Sequence, residues 1–256
     1  MEMESYEHGV PSWLDVSAPD SDEAATFYHG LFGWDVEPAT EEFGGYRNAQ
    51  LRGRRVAGIA PKMSPDMPTV WSSYVNVDDA QAVADKVVAN GGQVMFPPMA
   101  VGELGTMGIF IDPEGAVFGV WQAGEHKGAG LVNEPGTFGW SELMCDDPDK
   151  AIPFYEAVFG WGHDTQGEDS GMPYTEWKVD GRSVGGMMKK PPTMPPGVPS
   201  YWGVYFLVDD CDAAAAKVTE LGGSVMQPPM DIQPGRFALV ADPAGAMFCI
   251  MKLTES

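Results

Sequence analysis

FYHGLFGW, residues 27–34, returns as FYEAVFGW, residues 154–161, and the fold turns on this doubled phrase. The other parts of the chain repeat around it. WLDV at Trp13 answers WSEL at Trp140, YVNVDD at Tyr74 answers YFLVDD at Tyr205, VMFPPM at Val94 answers VMQPPM at Val225, and DPEGAVF at Asp112 answers DPAGAMF at Asp242. The matches keep their order from end to end, so the 256 residues divide into two equivalent domains, each of ordinary size and able to bury a core. We place the first at residues 9–123 and the second at 137–254, with the Gly-rich, aperiodic stretch 124–136 as linker.

Each half alternates strand and helix in the same way. PDSDEAATFYHGLFG offers Asp20 as N-cap with Glu23 three residues on, apolar positions at helical spacing, and Gly33 as a stop. Strands flank this helix at SWLDVS, YRNAQL and RVAGIA. The plan then repeats with a strand at WSSYVNV, a helix over DDAQAVADKVVANGG, and short strands near QVMF, MGIFI and VFGVW. The fold class is therefore α+β, with strand, helix and three strands performed twice in each half. Pro153 falls inside the helix opened by Asp147 and Pro148, where it removes a donor and predicts a kink or a late start. PPTMPPGVPS, residues 191–200, reads as a loop.

Lys and Arg number 15 against 37 Asp and Glu, and the net charge of -22 is spread over both halves. Such a surface repels phosphate backbones and anionic lipid, so nucleic acid and membrane are not expected partners. Cys145, Cys211 and Cys249 have neither the even count of a disulfide framework nor the close pairing of a zinc site. MEMESYEHG lacks the positive region and apolar core of a secretory signal, and no apolar run approaches membrane-spanning length, so the expectation is a soluble cytoplasmic protein. No glycine-rich phosphate loop follows a strand, and no nucleotide cofactor is expected.

The FYxxxFGW phrase, the VDD helix start and the DPxGxxF lead-in together resemble the vicinal oxygen chelate superfamily, the glyoxalase, bleomycin-resistance and extradiol dioxygenase group. The resemblance runs from about Pro11 to Leu253. It implies paired βαβββ modules whose sheet curls around a cleft, and it is nearest to two-domain glyoxalase-like or hydroxylase-like members, some of which accompany antibiotic biosynthesis. Metal-dependent members hold a divalent ion with His and Glu so that two substrate oxygens chelate it. Here the implied ligand positions carry Trp13 and Trp140, Ser72 and Gly203, and Gly119 and Cys249. Indole and glycine do not ligate such a cation, so no metal is expected. His8, His29, His126 and His163 lie in tail, helix, linker and the stretch after Trp161, and none falls on a cleft strand.

Strand side chains alternate faces, so residues in step with those positions face the cleft. They are Trp13, Asp15, Ser72, Tyr74, Asn76, Val117, Gly119 and Trp121 in the first half. In the second they are Trp140, Glu142, Gly203, Tyr205, Leu207, Met247, Cys249 and Met251, while Tyr46 and Tyr174 stand at matching points on a middle strand. Apolar walls with few polar groups suit a small, planar or aromatic organic molecule. Three functions fit. One is metal-free binding of an aromatic or polyketide-like metabolite. Another is a cofactor-free enzyme in which Asp15 or Glu142 is the general base, its pKa raised by burial. The third is an interaction protein whose clefts are vestigial. The two halves pack as an internal pseudo-dimer in a monomer, or the chain forms a homodimer.

Overall fold

The computed structural model describes residues 1–167, 173–192, 194 and 197–254. The first half runs β1 (Pro11–Ala18), α1 (Ser21–Phe32), β2 (Asp35–Val36), β3 (Arg47–Leu51), β4 (Arg54–Pro61), then β5 (Trp71–Asn76), α2 (Ala80–Ala89), β6 (Gln93–Val101), β7 (Gly105–Ile111) and β8 (Val117–Ala123). The second runs β9 (Phe138–Cys145), α3 (Pro148–Phe159), β10 (Gly162–Gln166), β11 (Tyr174–Val179), β12 (Arg182–Lys189), then β13 (Tyr201–Leu207), α4 (Cys211–Glu220), β14 (Ser224–Ile232), β15 (Gly235–Ala241) and β16 (Met247–Leu253). Local chemistry sets the helix ends. The Asp20 carboxylate accepts the backbone N–H of Asp22 at 2.9 Å and of Glu23 at 3.0 Å, and Gly33 closes α1 at φ 72°, where a side chain is disfavoured.

Each half is one eight-stranded mixed sheet, ordered β2-β3-β4-β1-β5-β8-β7-β6 in the first and β10-β11-β12-β9-β13-β16-β15-β14 in the second. At the centre β1 runs antiparallel to β5, and each is parallel to the last strand of its own module, β4 or β8. Two expectations need correction. α3 starts directly after Asp147 and continues past Pro153 to Phe159, so the proline neither delays nor ends it. Pro153 is the sixth residue of α3, so the amide it lacks costs the helix one bond, to the Asp149 carbonyl, without ending it. β6 is not confined to QVMF. It runs on through Pro97 and Pro98 as an edge strand, with its register slipping between Phe96 and Met99. The loop expected over 191–200 lies partly outside the described residues.

The doubled phrase proves to be the seam between the halves. Tyr28 accepts the Trp71 indole N–H at 2.9 Å and donates to Asp242 Oδ2 at 3.0 Å; Tyr155 accepts from Trp202 at 2.8 Å and donates to Asp112 Oδ2 at 2.9 Å. Each aspartate belongs to the DPxGxxF phrase of the opposite half, and its other oxygen holds its own turn through backbone N–H groups at 2.8 to 3.0 Å. Trp34 donates to the Gly136 carbonyl and Trp161 to the Gly9 carbonyl, both at 2.7 Å. Phe27 and Phe32 of α1 meet Phe248, and Phe154 and Phe159 of α3 meet Phe118. The cores are consequently shared: one joins α1 to β13 and β16, the other joins α3 to β5 and β8. Among the described residues no helix is long and apolar enough to cross a membrane.

Candidate functional site: two carboxyl-centred troughs

The central strands of each sheet bring the same constellation to its concave face. In the first half Asp15 of β1 pairs laterally with Gly58 of β4 and Ser72 of β5, while Trp13 pairs with Tyr74 and Tyr74 with Gly119. Neighbours across a ladder share a face, so these residues line one trough. The Trp13 indole donates to Tyr46 Oη at 2.8 Å, Tyr46 donates to Asp15 Oδ2 at 3.3 Å, and Tyr74 bonds the same carboxyl. In the second half Trp140 donates to Tyr174 Oη at 2.9 Å, Tyr205 donates to Glu142 Oε1 at 2.9 Å, and Tyr174 also bonds Glu142. Each trough therefore holds a carboxyl between two phenols, with an indole orienting one of them.

Glycines make the arrangement fit. A Cβ on Gly58 would lie 1.8 Å from Tyr46 Oη, and one on Gly186 would lie 1.9 Å from Tyr174 Oη. A Cβ on Gly119 would lie 2.4 Å from the Tyr74 ring. Burial then sets the protonation. Removal from water pushes the Asp15 carboxyl up to about 7, against the downward pull of its two tyrosine bonds, and raises Glu142 for the same reason. Tyr46 and Tyr74 are raised by burial and by the Asp15 charge, so they remain hydrogen donors. A carboxyl held near neutrality between two phenolic donors can take or release a proton at physiological pH.

The other expected residues are placed as follows. Trp121, Cys249 and Met251 are buried in the troughs, Ser72 is half-buried, and Met247 at the start of β16 is 49% exposed. The Asn76 amide donates to the carbonyls of Tyr6 at 2.8 Å and Glu7 at 3.3 Å, so it ties down the N-terminal segment. Burial raises the thiols of Cys145 to about 12 and Cys211 to about 11, and raises Cys249 as well, leaving all three as protonated packing groups.

His126 lies off the cleft strands, as its place in the linker predicts, yet it folds back into the first trough, its ring 4.4 Å from that of Trp13 and 5.4 Å from that of Trp121, edge-on to both. It is 8% exposed, and burial followed by the Arg55 charge lowers its pKa to about 4. Tyr201, likewise missed, is pushed up to about 12 beside Cys249 and Glu142. Phe237 and Leu239 add apolar wall to the second trough.

The positions that the resemblance implies as metal ligands carry neither His nor Glu. An indole, a hydroxyl and a bare glycine occupy the first set of ligand positions, with the Tyr74 ring over the glycine; an indole, a glycine and a raised thiol occupy the second. Among the described residues no three His, Cys, Asp or Glu side chains converge as a metal site would need. These residues do not fit a His/Glu-held divalent ion.

The family model for the glyoxalase/bleomycin resistance protein/dioxygenase superfamily matches residues 11–120 and again 127–250. The chain belongs to that superfamily. Among superfamily members it is similar to CFP32 of Mycobacterium tuberculosis, a protein named as a glyoxylase, with 47% identity over 254 residues and 96% of each chain covered. It is also similar to the anthracycline biosynthesis protein DnrV of Streptomyces peucetius, 37% identical over 268 residues, covering 99% of this chain and 96% of that one. The Mn(II)-bound glyoxalase from Novosphingobium aromaticivorans shares the superfamily fold at a TM-score of 0.65 and 15% identity, over 97% of this chain and 84% of that one.

Proposed function

We propose that the chain binds a small planar organic molecule in the first trough without a metal ion, in a role associated with natural-product biosynthesis. The observation that carries this reading is that Trp13, Ser72 and Gly119 stand at the implied ligand positions and that Trp13 joins Tyr46, Asp15 and Tyr74 in one array, which supplies apolar rings and neutral hydrogen-bond donors where an ion would be held. Tyr46 is half-buried and reaches Asp15 at 3.3 Å, longer than a firm phenol–carboxyl bond, so it is the side chain that swings aside for a ligand. The likeness to DnrV, named for anthracycline biosynthesis, supports fused aromatic polyketides as the first ligand class to test.

The test is thermal denaturation of metal-analysed protein against planar polyketides and their small acid fragments. A ligand that raises Tm in a saturable way, undiminished by chelator, supports the reading. Stabilisation that requires an added divalent cation overturns it. The Asp15 pKa near 7 favours one second reading, a cofactor-free isomerase, cyclase or lyase with Asp15 as general base. In that case Asp15→Asn abolishes turnover while binding persists; binding with no turnover by the unaltered protein leaves carriage alone.

A further inference from the structure

Five of the six arginines close on carboxylates: Arg47 on Asp22, Arg52 on Glu134, Arg54 on Glu2, Arg182 on Glu7 and Arg236 on Asp212. Arg55 does not. Among the described residues it has neither a side-chain hydrogen bond nor an ion pair, in a chain whose net charge of -22 supplies carboxylates everywhere. Its direction follows from a β-bulge. Ala49 pairs with Ala57 and Gln50 with Arg55, so Val56 is the extra residue on β4. The bulge turns Arg55 to the face of Gln50, Asn48 and Gly58, which is the trough face. There its charge bears on both Tyr46 and His126.

His126 supplies the second half of the observation. Its Nδ1 and Nε2 are not equivalent in their surroundings: Nε2 is buried and has no hydrogen-bond partner among the described residues, while the ring is wedged against Trp13 and Trp121. An orphaned ring nitrogen that feels the charge of an unpaired guanidinium is an uncommon combination in a folded chain. Among the described residues the second trough shows no such combination. Ser183 stands where Arg55 stands, and its hydroxyl is already used, donating to Glu176 at 2.6 Å and accepting from Lys178 at 2.7 Å. Two carboxylates of this half-sheet are also used, Glu37 by Asn48 and Gln50, and Asp15 by the two tyrosines.

The geometry points to Arg55 and His126 as an anion subsite at one end of the first trough, taking the carboxylate of a planar organic acid whose rings lie along Trp13 and Trp121. A guanidinium fork matches the two oxygens of a carboxylate, and one ring N–H of His126 completes the set. The inference rests on the first trough being a ligand site. It adds that the ligand is an acid and that the two troughs are not equivalent.

Two probes of one shape separate the ideas: 2-naphthoate and 2-naphthalenemethanol, titrated calorimetrically into the full chain, with the indole N–H signals of Trp13 and Trp121 followed by NMR. Naphthoate is expected to bind at least tenfold tighter than the alcohol and to shift both signals. Arg55→Gln should reduce that preference to less than threefold while leaving alcohol affinity within threefold, and His126→Phe should reduce the preference to less than threefold whatever it does to the affinity for the alcohol. Arg55→Gln, at a half-exposed position, keeps the test valid if the His126 variant misfolds. Equal affinity for the two probes, with both signals shifting, overturns the anion subsite and leaves the trough as a ligand site. A preference that survives both substitutions overturns the assignment to these residues, and binding of neither probe overturns the ligand site and the subsite together.

Discussion

Asp15 and His126 share a trough and respond to pH with opposite sign. Asp15 rises from 3.8 to about 7 on folding, so its contribution to stability is complete below 3.8 and is lost as pH climbs through 7. That loss is on the order of 4 kcal/mol when the carboxyl is fully ionised. Asp15→Asn should therefore match the unaltered protein in urea denaturation near pH 4 and exceed its stability increasingly up to pH 7, with a constant gap above. A gap independent of pH would show that Asp15 is solvated. His126 falls from 6.5 to about 4, so its contribution is complete above 6.5 and is lost as pH falls through 4. His126→Phe should flatten that acid limb by roughly 3 kcal/mol. These two residues also mark what the chain discloses about its site. Asp15 was legible because strand alternation aligns it with Trp13. Arg55 was not, because a one-residue bulge inverts the alternation. His126 was not, because an aperiodic segment carries no signal of where it returns.

The strands and helices were legible wherever capping or alternation was strong, as at Asp20 and Gly33, and least legible where proline interrupts a strand. Both sheets end in such a strand. β6 carries Pro97 and Pro98, and β14 carries Pro228 and Pro229, each pair within a stretch of shifted register. Both edges also expose apolar side chains, Met95 and Met99 on one and Met226 and Met230 on the other. An apolar edge with free amides templates pairing with another chain, and proline removes those amides while the bulge twists the strand away. Replacing Pro97 and Pro98 together by Val should produce concentration-dependent self-association in sedimentation velocity at unchanged fold. An unaltered sedimentation profile would mean that the edge is protected by something other than its prolines. Inside the sheet the constraint is reversed. Gly58→Ala forces Tyr46 off its site and should cost about 1–3 kcal/mol, whereas the same glycine change in a Tyr46→Ala background should cost little.

The repeat itself shows that a duplicated chain was legible from the phrases alone, whereas their meeting across the seam was not, because sequence order carries no information on which copy each helix faces. The phrase and the DPxGxxF turn were written twice as a matched donor and acceptor, one for each side of a pseudo-two-fold. Tyr28 and Tyr155 are buried, and so are Asp242 and Asp112, so removing one phenol leaves a buried carboxylate oxygen without its partner. Tyr28→Phe and Tyr155→Phe should each cost about 1–3 kcal/mol. Their effects should be similar in size despite lying in different domains. More is at stake in the shared cores. Residues 1–133 expressed alone would leave Phe27, Phe32 and Phe118 partly uncovered, because Phe248 packs on the first two and Phe154 and Phe159 on the third from the other half. Such a fragment should be unfolded or self-associated, with hydrogen exchange lacking the protected amides of β5 and β8. Mixing it with residues 134–256 should restore protection and the cooperative transition of the intact chain. A monomeric, cooperatively folded fragment would show instead that each sheet is stable by itself and that the seam fastens two finished domains.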